Sequence, residues 1–307
     1  MASPGLINWL RIILIALIWG GAFMVVRIAL VDFPPLTLAA SRITIGAVSI
    51  LLLMHFRGIK MPSLRDAQVW RFALLIGLLS SAMPFALLSW GQQHVPSAFA
   101  GMTMAALPVF VLPLAHFLVP NERIFFRKAV GFAVGFIGAF LMIGTSGLGV
   151  SEGLLETTAR LACIIGALCY ALGSIATRLC PPVNELALSA SSLCLAAIGI
   201  VPLAFMIDGI PTMPSTGGLV AILYLGIVPT AFAFIIKVAV IRSAGPSFMT
   251  LTNYQVPIWS VLFGSIFMGE TLPTTLYLAL ALILLGVAII QAGVLKSIFS
   301  HAPQPKV

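Results

Sequence analysis

Charge is what this sequence has least of. Only 8% of its 307 residues are Asp, Glu, Lys or Arg, where a soluble domain carries about 25%. That deficit excludes an ordinary soluble protein. Acidic side chains are the scarcer sign, with eight in the chain. None falls at the centre of an apolar run, so no proton relay or sodium site built on intramembrane carboxylates is visible. The four cysteines, Cys163, Cys169, Cys180 and Cys194, show no CxxC spacing and sit in apolar surroundings, which reads as small buried side chains and not as a metal or redox centre. No GxxxxGK[ST] loop is present, which excludes a chain that is itself an ATP-driven pump. The absence of HExxH and of an Asp-rich metal motif disfavours intramembrane proteolysis and prenyl transfer. No catalytic residue, cofactor or metal is expected, and the chain is not read as an enzyme. The net charge of +8 comes from basic residues placed singly or in threes between apolar runs. That is an orientation signal, not a nucleic-acid surface.

What the chain has in abundance is apolar length. Hydrophobic residues make up 61% of it, and its mean hydropathy is +1.15. A helix needs roughly 20 apolar residues to cross the hydrocarbon core. Ten segments qualify: about 10–30, 36–55, 70–92, 97–119, 128–146, 159–179, 185–207, 217–240, 247–268 and 273–293. The first is too long for a signal peptide and lacks a convincing small-x-small cleavage site, so it is kept as a true span. With the N-terminus in the cytoplasm, 13 of the 16 Lys and Arg residues fall on the inner side, as the positive-inside rule requires. Asp32, Glu152, Glu156 and Asp208 then fall outside. Both termini are expected to be cytoplasmic, in a bacterial inner membrane, with the bilayer and a small-molecule substrate as partners and no nucleic acid.

The chain also repeats itself. Pro108 and Pro257 are 149 residues apart, as are Gly77 and Gly226; Glu122 and Glu270, and Gly138 and Gly286, are 148 apart. Spans one and six pair Trp19 with Tyr170 and Arg27 with Arg178, at 151. A fixed offset of this kind signals an internal duplication. The expected architecture is an all-α membrane protein with ten transmembrane helices arranged as two inverted five-helix repeats, residues 1–150 and 151–307. Five spans is an odd number, so the halves must face opposite ways. Inverted repeats with a substrate site between them are a recurring plan of secondary transporters.

Certain short motifs add a resemblance. Ala16-Leu17-Ile18-Trp19-Gly20 with Phe23, then Pro257-Ile258-Trp259 leading to Met268-Gly269-Glu270-Thr271-Leu272, with Gly286 in the following span, resemble the EamA-type branch of the drug/metabolite transporter superfamily. The first-half copy departs from the pattern, reading Val119-Pro120-Asn121-Glu122 with one extra residue. The resemblance implies ten spans, a central cavity and export of small metabolites, and is nearest to bacterial exporters of amino acids, including aromatic ones. The expected function is alternating-access export of amino acids or related drug-like compounds. A channel-like facilitator or an uptake carrier is the alternative.

Candidate lining residues follow from side-chain type. In span nine Ser247, Thr250, Asn253, Tyr254 and Pro257 share one face; polar groups in lipid turn inward, toward a cavity or toward a neighbouring helix. Trp19 and Phe23 in span one, with Tyr170 and Ser174 in span six, give either an aromatic cavity wall or a packing seam. The substrate-binding set is therefore Trp19, Phe23, Tyr170, Ser174, Thr250, Asn253 and Tyr254. Pro84, Pro229 and Pro257 interrupt spans three, eight and nine and serve as hinges or fixed kinks. Glu122 and Glu270 stand just before helices and are read as structural carboxylates at the positive end of a helix dipole. Arg42 is the deepest basic residue, and an intramembrane charge is functional by default, though span two is peripheral in the plan the resemblance implies, where spans one, three, four, six, eight and nine line the cavity. Lys237 either snorkels or meets a substrate carboxylate. Gly131, Gly135 and Gly138 form a small-residue seam that suits packing within one chain or between two. The oligomeric state is left open, a monomer being plausible.

Overall fold

The structure is a computed structural model, and it describes residues 5–118, 126–143, 153–244, 246–249 and 251–299. Those residues are helical throughout, with no strand among them. In chain order the helices are α1 (Leu6–Ala29), α2 (Pro35–Phe56), α3 (Ala67–Gly77), α4 (Met83–Gly91), α5 (Ser97–Met102), α6 (Leu107–Leu118) and α7 (Phe126–Ile143). They continue as α8 (Leu154–Leu179), α9 (Glu185–Ile207), α10 (Thr216–Leu225), α11 (Ala233–Ala244), α12 (Pro246–Met249), α13 (Thr252–Met268) and α14 (Thr274–Phe299). A π turn over Leu78–Ala82 joins α3 to α4, and another over Gly226–Phe232 joins α10 to α11; a 3-10 turn over Thr103–Ala106 joins α5 to α6.

Among the described residues, seven continuous helical stretches are long and apolar enough to cross a membrane. They are Leu6–Ala29, Pro35–Phe56, Ala67–Gly91, Ser97–Leu118, Leu154–Leu179, Glu185–Ile207 and Thr216–Lys237. The other three expected spans also fall on helices, namely α7, α13 and α14. Local chemistry explains most ends. Pro35 opens α2 at a first-turn position, where its missing N–H costs nothing. The Asn184 side chain accepts from Leu186 N and Ala187 N to start α9, and Ser215 Oγ accepts from Gly218 N to start α10, both N-caps. Gly269 closes α13 in the left-handed region at φ 64°, a conformation that favours glycine.

One expectation needs correcting. Pro257 does not break its span: α13 runs unbroken through it, and Pro257 is buried. The nearest described turn is at Leu251, directly before α13 begins at Thr252. The Pro257 carbonyl accepts from Ser260 Oγ at 2.9 Å, and a proline near the start of a helix forfeits only one intrahelical bond.

The principal packing pairs are α2 with α9, α7 with α14, α1 with α13, α4 with α8 and α3 with α9. The largest apolar core lies among α1, α4–α8, α13 and α14 and contains Phe99, Met102, Val109, Met142 and Ile283. A second core joins α2, α4 and α9 around Ile43, Phe85 and Leu193. All four thiols are free; Cys163 and Cys169 are buried.

The Gly131-Gly135-Gly138 stripe packs within the chain. A Cβ built on Gly131 would lie 2.6 Å from the Gly286 carbonyl, and one on Gly138 would lie 2.8 Å from the Ala279 carbonyl. One on Gly286 would lie 2.5 Å from the Gly131 carbonyl. Close backbone approach through small residues is how helices associate where no hydrophobic force acts between them. Gly131→Val is therefore expected to cost about 1–3 kcal/mol by overpacking, read as a lower melting temperature in detergent. Gly199→Ala, which meets open space, should leave stability equal or slightly higher.

Candidate functional site

The site begins with a missing hydrogen bond. Pro229 has no N–H to give the Leu225 carbonyl one turn earlier. The backbone widens into the π turn over Gly226–Phe232, and the Thr230 hydroxyl donates to the Leu225 carbonyl at 2.8 Å. Such π turns are frequent at functional positions. The Pro229 carbonyl in turn accepts from Trp19 Nε1 of α1 at 3.1 Å. The other π turn, Leu78–Ala82, directly precedes Met83-Pro84, so two of the three prolines named from the sequence mark real departures from α geometry.

Against the second π turn lies α2, brought close by glycine. A Cβ on Gly46 would lie 2.6 Å from Thr230 Cγ2, and Gly226 presses on Ile45 and lies against the Arg42 carbonyl. This contact sets Arg42 beside Thr230. Arg42 Nε donates to Thr230 Oγ1 at 3.2 Å. The guanidinium carbon stands 3.9 Å above the centre of the Phe85 ring of α4, a cation–π stack. Phe85 meets Tyr170 of α8 edge to face, with centroids 6.5 Å apart. The phenols of Tyr170 and Tyr224 lie within electrostatic reach of Arg42. Residues from α1, α2, α4, α8 and the π turn thus form one linked group: Trp19, Arg42, Phe85, Tyr170 and Pro229-Thr230.

No carboxylate among the described residues joins this group. Among the described residues Arg42 has the Thr230 bond and the Phe85 stack and no ion pair. The described acids with a resolved partner are committed elsewhere. Asp208 accepts from Thr37 N at 2.7 Å and Thr37 Oγ1 at 2.9 Å, capping α2. Asp32 accepts from Ser215 Oγ. Glu156 pairs with Arg160 at 2.6 Å, and Glu185 is the acid that acts on Lys237.

Glu270 is the clearest of these. Its two carboxylate oxygens accept from Ser97 N at 2.7 Å and Ala98 N at 2.9 Å, the first N–H groups of α5. It caps a helix, but one 173 residues away, not the α14 that follows it in sequence. A carboxylate at the positive end of a helix is favourable wherever it comes from. Glu122 lies outside the described residues, as does Thr250.

The other named residues divide. Phe23 is half-buried, packs on the central core and lies against Gly101. Tyr254 is half-buried and donates its hydroxyl to the Val287 carbonyl of α14 at 3.1 Å. Trp19 and Tyr254 pack on the same apolar cluster around Ile12, Val240 and Phe248, and Asn253 beside Tyr254 is half-buried. Ser174 is exposed and returns its hydroxyl to the Tyr170 carbonyl at 2.8 Å, a helix-internal bond. Lys237 is half-buried, 5.9 Å from the Phe234 ring. Reasoning from sequence missed Phe85 and Thr230 as partners of Arg42; only their packing against α2 reveals them. A separate crevice of about 420 Å³ opens between α2, α9 and α10, lined by Phe33, Thr37, Ser41, Thr44, Val201 and Phe205 among others, and includes none of the expected site residues.

Comparison with known proteins gives a consistent picture. The profile of the EamA-like transporter family matches residues 7–144 and again residues 157–292. The chain is 30% identical over 293 residues to the uncharacterized inner membrane transporter YedA of Escherichia coli K12, covering 94% of this chain and 90% of that one. It is 24% identical to the uncharacterized transporter YoaV of Bacillus subtilis, over 91% of this chain and 94% of that one. It is 25% identical to a probable terminal-alkyne amino-acid exporter of Streptantibioticus cattleyicolor, over 91% and 92%. One crystal structure shares the fold with a TM-score of 0.65, at 21% identity over 94% of this chain and 98% of the other.

The Glu270 cap yields a prediction. Glu270→Ala should destabilise the protein by about 1–2 kcal/mol, with flux per folded molecule preserved. Thermal unfolding in detergent, set beside transport normalised to folded protein, checks both halves of the statement.

Proposed function

Because the chain belongs to the EamA-like transporter family, we propose that it is a secondary transporter that exports amino acids or related small compounds by alternating access. It is an integral membrane protein. The inner-membrane location in the name of the Escherichia coli relative supports placing it in the inner membrane, and the bias of Lys and Arg toward one side supports cytoplasmic termini.

The observation that carries the reading is the linked group at the π turn. Trp19, Phe85 and Tyr170 supply aromatic surface, and Arg42 and Thr230 supply polar contacts, all on helices from both halves of the chain. A largely apolar wall with a few placed polar groups is the usual composition of a small-molecule site. The family profile matching twice supports a division into two repeats at about residue 150, each of five spans. Related features recur in both halves: a π turn at Leu78–Ala82 and at Gly226–Phe232, and a 3-10 turn at Thr103–Ala106 before α6 beside a turn at Leu251 before α13. In inverted repeats such broken helices line the site, and rocking of one half on the other exchanges its exposure. The amino-acid exporter among the relatives supports the substrate class.

Counterflow in proteoliposomes is the test. Liposomes preloaded with an amino acid that the protein carries should transiently accumulate its label against a gradient. Flux that rises in proportion to concentration, with no counterflow from any of the amino acids, would favour a channel instead. Pro229→Ala restores an N–H donor and lets α10 and α11 join as one α-helix. It should match or exceed the wild type in stability and slow counterflow; an unchanged rate would show that the π turn is not a moving part.

A further inference from the structure

The transport reading leaves one group unexplained. A guanidinium is protonated at any physiological pH and carries five N–H donors in a planar fork. Arg42 uses Nε on Thr230 and its flat face on Phe85. The edge that carries Nη1 and Nη2 has no protein partner among the described residues. The residue sits in the eighth position of α2, about 10 Å along the helix from its start, and is half-buried. A charge at that depth needs compensation, and no described carboxylate supplies it.

The fold itself does not call for this guanidinium. At Gly226 the π-turn backbone crosses α2 against the Arg42 carbonyl, and at Gly77 the corresponding backbone crosses α9 against the Ser192 carbonyl. Gly77 and Gly226 are 149 residues apart, and Arg42 and Ser192 are 150 apart. The two crossings are thus counterparts in the duplicated chain. One is made with a buried serine whose hydroxyl has no partner among the described residues, the other with an arginine. The same helix contact forms without a cation, so the cation answers to something other than packing.

Lys237, the other candidate for an anion, is a poorer one. Glu185 lies within electrostatic reach of it, whereas the described groups around Arg42 are the Thr230 hydroxyl, phenols and an aromatic face.

We propose that Arg42 is the anion subsite of the transport pathway, receiving the carboxylate of the substrate on its Nη1–Nη2 edge. The proposal rests on the transport reading above and narrows it. Substrates carry a carboxylate, and the part next to it is flat or apolar enough to lie along Trp19, Phe85 and Tyr170. Two parallel charge-assisted hydrogen bonds fix the orientation of a carboxylate as well as its charge. Thr230 and Phe85 hold the fork in place, so they are positioning residues. An amino acid fits, and so does a simple aromatic monocarboxylate. A neutral amide or an amine of the same shape lacks the feature that the subsite reads.

The experiment is counterflow by purified wild-type, Arg42→Gln and Arg42→Lys protein, using L-phenylalanine, L-tryptophan and L-threonine, each beside its carboxamide. Size-exclusion profile and melting temperature report folding in the same samples. The wild type should favour at least one acid over its amide by about tenfold or more, the worth of a charged hydrogen bond. Arg42→Gln should lose that preference by weakening transport of the acid while leaving the amide within about twofold of its wild-type rate. Arg42→Lys, which keeps the charge but not the fork, should restore part of the preference. Equal loss of acid and amide in folded Arg42→Gln would assign Arg42 to structure and overturn the proposal. So would an unchanged rate for the acid. Wild-type counterflow of acids and amides alike would overturn the subsite and leave the exporter standing. Wild-type flux that never saturates would overturn the exporter and the subsite together.

Discussion

A guanidinium inside a membrane protein, with no carboxylate beside it among the described residues, is the constraint around which this site is built. An arginine at the centre of a membrane helix costs about 2.5–3.5 kcal/mol even by the most permissive scale, and Arg42, in the eighth position of α2, bears part of that cost. The chain recovers part of that through the Phe85 face and the Thr230 hydroxyl. It does not use the neutralising acid that a purely structural arginine would be expected to have. Arg160 shows the contrast, since it is buried and its Glu156 partner lies one turn away. The acids seen here with hydrogen-bonded partners serve helix ends and loop contacts: Asp208 on α2, Glu270 on α5, Asp32 on Ser215.

The position of Arg42 depends on small residues and a broken helix. Gly46 and Gly226 let α2 and the π turn approach until side-chain and backbone atoms touch. Pro229 forces the turn, and Thr230 repairs the exposed carbonyl while still accepting from Arg42. Trp19 anchors α1 to the same turn through the Pro229 carbonyl. A single departure from α geometry therefore ties three helices to one site. Helix breaks that free backbone groups are tolerated at membrane depth only where protein or a cavity satisfies them, and here protein groups do so bond by bond.

Much of this was legible in the sequence. Apolar length placed the helices, because it depends on spacing alone. Pro84 and Pro229 were readable as irregularities for the same reason: a missing N–H is a property of the residue. Pro257 was misread because its position within a helix, and not its presence, decides whether it breaks one, and α13 starts only five residues before it. Glu270 was read as a helix cap, yet the helix it caps is α5, a contact that exists only after the halves pack. Arg42 stood out by depth. Its partners Phe85 and Thr230, 43 and 188 residues away, could not be inferred from spacing. Tyr254 looked like a lining residue, and the structure gives its hydroxyl to the Val287 carbonyl, since a polar group in lipid is satisfied as well by a neighbouring helix as by a cavity.

The central claim is a contact between a carboxylate and one arginine, and solid-state NMR measures it directly. Protein labelled with ¹⁵N-arginine and loaded in lipid with ¹³C-carboxyl L-phenylalanine should show a dipolar coupling corresponding to about 4 Å between the carboxyl carbon and a guanidinium nitrogen. The coupling should disappear in Arg42→Lys protein that still binds the ligand. Bound phenylalanine with no such coupling in the wild type, or a coupling that survives Arg42→Lys, would contradict the account.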